Sequence, residues 1–187
     1  ANKSLLPTYD IFDEYRYFEP EKKFGIFEFK GKRLAITICE DLWDEQEFDN
    51  EFEKSRLYQI SPMDELAKHK PDIIINIAAS PFSYSKIVSK TNVFRKKAKK
   101  HRIPLVMVNQ TGANTELIFD GASMAINPKG EIVERLPFFE EAIRSFEFGE
   151  LCDVAKSRPV LEYDPIALIH KATGTKLKNR LRNRKEA

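Results

Sequence analysis

Three short runs of β-branched and apolar residues set the pattern of this chain: Arg-Leu-Ala-Ile-Thr-Ile-Cys at 33–39, Asp72 to Ile77, and Leu105 to Asn109. Each is too short for a core helix and reads as a strand, the first two with the profile of buried strands. A helix signal falls in each gap between them. Ser61-Pro62-Met63-Asp64 places a capping serine, a proline at the first position and an acid in the first turn, predicting a helix to about His69. From about Ser85 to His101, Ile87, Thr91, Phe94 and Ala98 recur at helical spacing, with lysines assigned to the opposite, solvated face. Buried strands alternating with helices define an α/β fold. Ala122 to Asn127 and Glu131 to Arg135 flank the Pro128-Lys129-Gly130 turn, and such a hairpin argues for a mixed sheet. Residues 24–29 and Arg144 to Phe148 read as further strands. Residues 44–60, acidic and aperiodic, read as a surface insertion.

Composition narrows the class. The 187 residues suffice for one domain with a sizeable core. A net charge of +2 implies neither a nucleic-acid nor a membrane partner. No run approaches the roughly 20 apolar residues of a membrane span. Pro7 and a charged stretch stand where a signal peptide would be apolar, and Cys39 and Cys152 are far apart. Together these predict reduced thiols, a cytoplasmic location and no metal site. Lys171 to Ala187 carries seven Lys/Arg against Glu186, so the expected organisation is a domain over 1–170 and a basic C-terminal tail over 171–187. The tail lacks the aromatic interleaving that would favour nucleic acid. The chain opens almost within a motif, Lys3-Ser4-Leu5-Leu6-Pro7-Thr8-Tyr9, as if cut from something longer. The aromatics that follow, Phe12, Tyr15, Tyr17 and Phe18, predict an ordered loop that shelters them.

The candidate chemistry sits where strands end, the usual place for sites in such folds. A cysteine closing an apolar strand is most often a small core residue. Cys39, however, is followed by Glu40-Asp41, which turn the chain outward. At such an elbow backbone N–H groups can face a bound carbonyl, and a nearby cation would favour the thiolate. His69, His101 and His170 follow no strand, which disfavours a Cys–His dyad and leaves Lys3 and Glu14 as the better partners. Asn109 to Asn114 reads as a polar turn in which Gly112 supplies positive φ, and Phe119-Asp120-Gly121 as a hairpin-like turn. Lys96, Lys97, Lys99 and Lys100 read as a solvated helix face.

In order along the chain, several segments resemble the nitrilase (carbon–nitrogen hydrolase) superfamily, and within it the glutaminase domains of glutamine-dependent NAD synthetases. They are Lys3 to Tyr9 with Phe12 to Phe18, Cys39-Glu40-Asp41-Leu42-Trp43, Ala79-Ser80-Pro81-Phe82, and Val108-Asn109-Gln110 through Glu116 to Ser123. The resemblance implies a four-layer α-β-β-α sandwich, incomplete at its N-terminus. It makes Cys39 the nucleophile, Lys3 the oxyanion-stabilising cation and Glu14 an auxiliary glutamate, with the backbone N–H of Glu40 in the oxyanion hole. Tyr9, Ser80 and Lys86 would contact glutamine, Lys86 standing where relatives often carry an arginine. The family's general-base glutamate has no counterpart here and is expected upstream of Ala1. The implied activity is glutamine hydrolysis through a thioester, delivering ammonia to a synthetase domain. That missing domain would use ATP and Mg; no cofactor is expected in this chain. A homo-oligomer is also implied. Two alternatives stay open: a stand-alone amidase acting on another amide, and a catalytically dead fragment serving as an interaction module.

Overall fold

The computed structural model describes residues 1–9, 11–45, 47–50 and 53–152. Its strands and helices, in chain order, are β1 Phe27–Phe29, β2 Lys32–Ile38, β3 Glu47–Asn50, β4 Glu53–Arg56, α1 Pro62–Ala67, β5 Ile73–Ala78, α2 Ile87–His101, β6 Leu105–Asn109, β7 Thr111–Asn114, β8 Leu117–Asp120, β9 Met124–Ile126, β10 Ile132–Arg135 and α3 Phe148–Cys152. Six strands form one sheet in the order β1-β2-β5-β6-β9-β10. The three strongly apolar runs are its parallel centre, β2 beside β5 beside β6. β9 joins β6 antiparallel, and β10 folds back on β9, so the sheet is mixed. Both inner crossovers carry the helix the sequence predicts.

Side-chain alternation explains the layers. Ile74, Leu105, Met107 and Ala35 point to the helix side and pack with Met63 and Leu66 of α1 and with Phe94 and Ala98 of α2. The opposite face carries a smaller cluster of Ile73, Ala125, Val133 and Leu151, with Ile75 and Val106 partly covered. At the C-terminal ends of the central strands that face opens, leaving Ile77 53% and Val108 47% exposed. The described residues thus supply one helix layer on one mixed sheet.

Local chemistry sets the boundaries. Ser61 Oγ accepts the Asp64 N–H at 3.3 Å and Pro62 opens α1. Helix α2 stops where Arg102 turns left-handed, its N–H returning to the Ala98 carbonyl. In the β9–β10 turn Asn127 Oδ1 accepts the N–H groups of Lys129 and Glu131. Gly130 has φ +80°, and its carbonyl accepts Arg95 Nε at 2.8 Å. A Cβ at this position would lie 2.7 Å from the Arg95 carbonyl oxygen, so the turn docks on α2 only as glycine.

Several expectations are corrected. Residues 144–147 form no strand: Phe146 and Phe148 cover the open sheet face while Arg144 reaches Glu134, and Glu147 accepts the Glu150 N–H as α3 begins. Alternating apolar residues there serve a face rather than an edge. Phe119-Asp120-Gly121 is not the hairpin turn. β7 pairs with β8, the turn falls at Thr115-Glu116, and Asp120 is a buried strand end. The stretch from 109 to 114 is therefore largely strand, although Gly112 does take φ +122°. The acidic insertion holds the paired strands β3 and β4, and its first residue, Asp44, is buried. Asp44 Oδ1 meets Lys97 Nζ at 2.6 Å, and Lys97 is 1% exposed, so the lysine face of α2 is not uniformly solvated. Lys90 is buried as well. Finally, Tyr15, Tyr17 and Phe18 remain exposed. Their loop is ordered by backbone bonds, Glu14 N–H to Pro7 and Glu21 N–H to Lys3, rather than by burial of aromatics.

Candidate active site

Strand β2 ends at Ile38, and the chain turns at Cys39 into a single 3-10 turn, Cys39–Leu42. Cys39 has φ +45°, a left-handed backbone that a residue with a Cβ rarely adopts. Such strain persists only where its surroundings over-determine it, and it clusters at reactive positions. Asp41 is what holds it here. Its Oδ2 accepts the Ile38 N–H at 2.9 Å, and its Oδ1 accepts the N–H groups of Ser4 and Leu5 at 2.8 and 2.9 Å. One buried carboxylate thus pins the elbow and lays the N-terminal segment across it. Burial pushes the Asp41 carboxyl above its ordinary value, and the backbone donors and Lys3 pull it back. On the other side, buried Asn76 donates to Thr37 Oγ1 at 3.1 Å and to the Cys39 carbonyl at 3.3 Å.

The pinned N-terminal segment delivers charge. Lys3 Nζ lies 2.6 Å from both carboxylate oxygens of Glu14. Burial raises the Cys39 thiol above the usual cysteine range. The Lys3 ammonium and an N–H from Ala79 lower it, while Glu40 and Glu14 raise it. At rest the site therefore favours the protonated thiol, with a cation poised to favour the thiolate. Glu40 is buried, and its Oε1 accepts the hydroxyls of Tyr9 at 2.7 Å and Tyr58 at 3.1 Å. Burial raises the Glu40 carboxyl, opposed by these two donors and by Lys3. Burial and the Glu40 carboxylate push both tyrosine hydroxyls well above their ordinary value, so both stay donors.

Of these groups, Cys39, Glu40 and Tyr9 line a cleft of about 230 Å³. Phe12, Trp43, Ser80, Phe82, Lys86 and Lys90 line it as well. Ser80 follows β5, while Lys86 closes the 3-10 turn before α2. The fold therefore gathers Cys39, Tyr9, Glu40, Ser80 and Lys86 around a single cleft, while Lys3 and Glu14 line a neighbouring hollow that includes Ile38. Among the described residues no three His, Cys, Asp or Glu side chains are grouped to hold a metal ion.

Sequence reasoning missed the groups that hold this arrangement. Asp41 read only as an elbow residue, and Tyr58 fell inside the supposed insertion. Lys90, Asp120 and Asn109 form a buried network behind Ser80. One signal for Lys90 and Lys97 was available: both sit on the α2 stripe, three residues after Ile87 and Phe94 respectively.

The carbon–nitrogen hydrolase family model matches residues 56–150, and the chain belongs to that family. Among curated proteins it is 40% identical over 154 residues to a glutamine-dependent NAD(+) synthetase of Synechocystis sp., covering 80% of this chain and 27% of the relative. A second such synthetase, from Acinetobacter baylyi, is 32% identical over 172 residues, covering 91% and 29%. The chain thus spans little more than a quarter of these relatives. The structure of the glutamine-dependent NAD+ synthetase of Acinetobacter baumannii in complex with ADP superposes with a TM-score of 0.69 at 31% identity, covering 87% of this chain and 28% of that one. A carbon–nitrogen hydrolase of Helicobacter pylori G27, at 20% identity and a TM-score of 0.60 over 74% of this chain and 48% of its own, shares the fold. No helix among the described residues is long and apolar enough to cross a membrane.

Proposed function

We propose that this chain is the cysteine-bearing part of a glutaminase that supplies ammonia to NAD synthesis, with Cys39 as nucleophile. The observation that carries this reading is the strained Cys39 elbow, opening on a cleft shared with Tyr9, Glu40, Ser80 and Lys86 and backed by Lys3. The likeness to glutamine-dependent NAD(+) synthetases supports glutamine as the amide in this reading.

Glutamine would enter with its side-chain carbonyl at Cys39. Its α-carboxylate would face Lys86, an exposed single-point cation without the fork of an arginine. As the thiol yields its proton to a base, sulfur bonds to the amide carbon, and negative charge develops on the carbonyl oxygen. Lys3 and the Glu40 N–H would stabilise that charge. The carbon–nitrogen bond then breaks as nitrogen takes up the proton and leaves as ammonia. Water attacks the thioester, the carbon–sulfur bond breaks, and glutamate departs with the thiol restored. Glu14 would orient Lys3 through its two 2.6 Å contacts. In this proposal the base glutamate of the family is supplied from outside residues 1–187, and residues 1–187 alone are inactive. A cytoplasmic location, assembly into a homo-oligomer and partnership with a synthetase domain are part of the same proposal. ATP and Mg belong to that domain, and no step above is routed through them. The proposed basic tail lies outside the described residues.

The test is ammonia release from glutamine by the full-length protein, with Cys39→Ala as control. Release that is lost in Cys39→Ala supports the assignment. Turnover of another amide but not of glutamine moves the reading to an amidase. A folded protein that releases no ammonia from any amide leaves an interaction module.

A further inference from the structure

We infer that Lys90, Asp120 and Asn109 form a buried relay that positions the Ala79–Ser80 backbone against the Cys39 thiol. The inference rests on Cys39 being the nucleophile, and it gives the buried groups next to Ser80 a function of their own. All three side chains are buried. Lys90 Nζ lies 3.0 and 3.1 Å from the two oxygens of Asp120. Asp120 Oδ1 also accepts Asn109 Nδ2 at 2.8 Å. Asn109 then grips Ser80 at both of its backbone groups: its Oδ1 accepts the Ser80 N–H at 2.9 Å, and its Nδ2 donates to the Ser80 carbonyl at 3.4 Å. One residue earlier, Ala79 follows the end of β5, which runs beside the Cys39 elbow: Ile77 pairs with Ile38 in the parallel register, and Asn76 donates to the Cys39 carbonyl at 3.3 Å.

The chemistry makes this network directional. An asparagine amide can flip, exchanging donor and acceptor. The Asp120 carboxylate accepts only a donor, and the Ser80 N–H offers only a proton, so together they admit a single amide orientation. Lys90 supplies the counter-charge that lets a carboxylate sit fully buried at this point. A third donation, Asn109 Nδ2 to the Gly121 carbonyl at 3.1 Å, fixes the same orientation from the end of β8. Backbone bonds add to it: Gln110 N–H to Ala78, and Phe82 N–H to Ile118 at 2.6 Å. Apolar residues could fill this space at equal or better stability. A fully satisfied polar network instead specifies one position, and the segment it positions stands beside the Cys39 elbow and lines the same cleft. These are positioning residues, since their side chains bond one another and the Ser80 backbone, although Lys90 also lines the cleft.

The experiment uses the full-length protein, with glutamine turnover and alkylation of Cys39 by iodoacetamide as parallel readouts. Iodoacetamide has no α-carboxylate, so its rate separates positioning of the thiol from direct contact with substrate. Asn109→Ala, Asp120→Asn and Lys90→Met are expected to lower kcat by about 10- to 100-fold, the range that small misplacements produce. Each is also expected to change the Cys39 alkylation rate by several-fold, while Lys90→Arg stays within about threefold of wild type because it keeps the counter-charge. Rates are compared on variants shown by thermal unfolding to be folded at the assay temperature. Should Asp120→Asn fail to fold, the milder Asn109→Ser carries the same expectation. Folded variants with wild-type kcat and alkylation rates would overturn the inference. So would a loss confined to KM with alkylation unchanged, which would make Lys90 a substrate contact. Failure of the glutaminase reading looks different: the wild type then shows no Cys39-dependent ammonia release, and alkylation still reports on the relay.

Discussion

Lys97 sits in the middle of the apolar stripe of α2, 1% exposed, with its ammonium 2.6 Å from Asp44 Oδ1 and 3.3 Å from Glu45 Oε1. Replacing it by methionine keeps the length of the side chain and removes the charge. Asp44 is itself buried, so it would be left as an uncompensated carboxylate. Breaking a buried pair from one side costs about 3–5 kcal/mol. The reverse change, Asp44→Asn, should cost less, because Lys97 keeps Glu45, which is 37% exposed and can follow it. Removing both charges with Asp44→Asn/Lys97→Met should recover much of the single-variant loss. The single tryptophan reports the transition well. Trp43 is buried next to Asp44, with its ring 6.0 Å from that of Phe94. With a urea m-value of about 2 kcal/mol/M, Lys97→Met should lower the unfolding midpoint by roughly 1.5–2.5 M at unchanged m. A shift below about 0.5 M would refute the reasoning, as would a double variant no more stable than Lys97→Met.

Three further outcomes follow from named contacts. Gly130→Ala meets both a left-handed backbone and the Arg95 carbonyl, so it should cost about 1–3 kcal/mol, read as a lowered Tm. Because burial raises the Cys39 thiol while Lys3 lowers it, alkylation by a neutral reagent should be slow near neutral pH and keep rising beyond the pH at which a free cysteine levels off. Lys3→Met removes the lowering charge and should move that curve to still higher pH; a shift to lower pH would contradict the assignment. Asp41→Ala orphans three backbone donors, costing about 3 kcal/mol, and should release the N-terminal segment, seen as faster tryptic cleavage after Lys3.

The parallel centre of the sheet was legible because its strands are continuous β-branched runs, and α1 because Ser61 and Pro62 announce it. The turn at 128–130 was equally plain. Burial of charge was not legible. Lys90 and Lys97 sit at apolar-stripe positions, but a lysine on a helix is ordinarily solvated, and their partners come from distant segments. Asp120, for instance, is 30 residues from Lys90. The same holds for Asp41, whose importance lies in two N–H groups 36 and 37 residues earlier. Arg144 to Phe148 misled because alternation marks any segment with one apolar side, whether it pairs at an edge or lies across a face. At the site, the motifs named the residues that gather around the cleft, but the φ of Cys39 and the relay behind Ser80 are three-dimensional facts that no local pattern carries.

The most direct measurement is mass spectrometry of the full-length protein after incubation with a glutamine-shaped electrophile such as a diazoketone analogue. Cys152 is exposed, whereas Cys39 is only partly accessible, so indiscriminate chemistry would mark Cys152 first. The expected result is a single adduct on Cys39, slowed by added glutamine and absent in Cys39→Ala. Labelling that persists in Cys39→Ala, or that favours Cys152 regardless of glutamine, would contradict the assignment of Cys39 as the nucleophile.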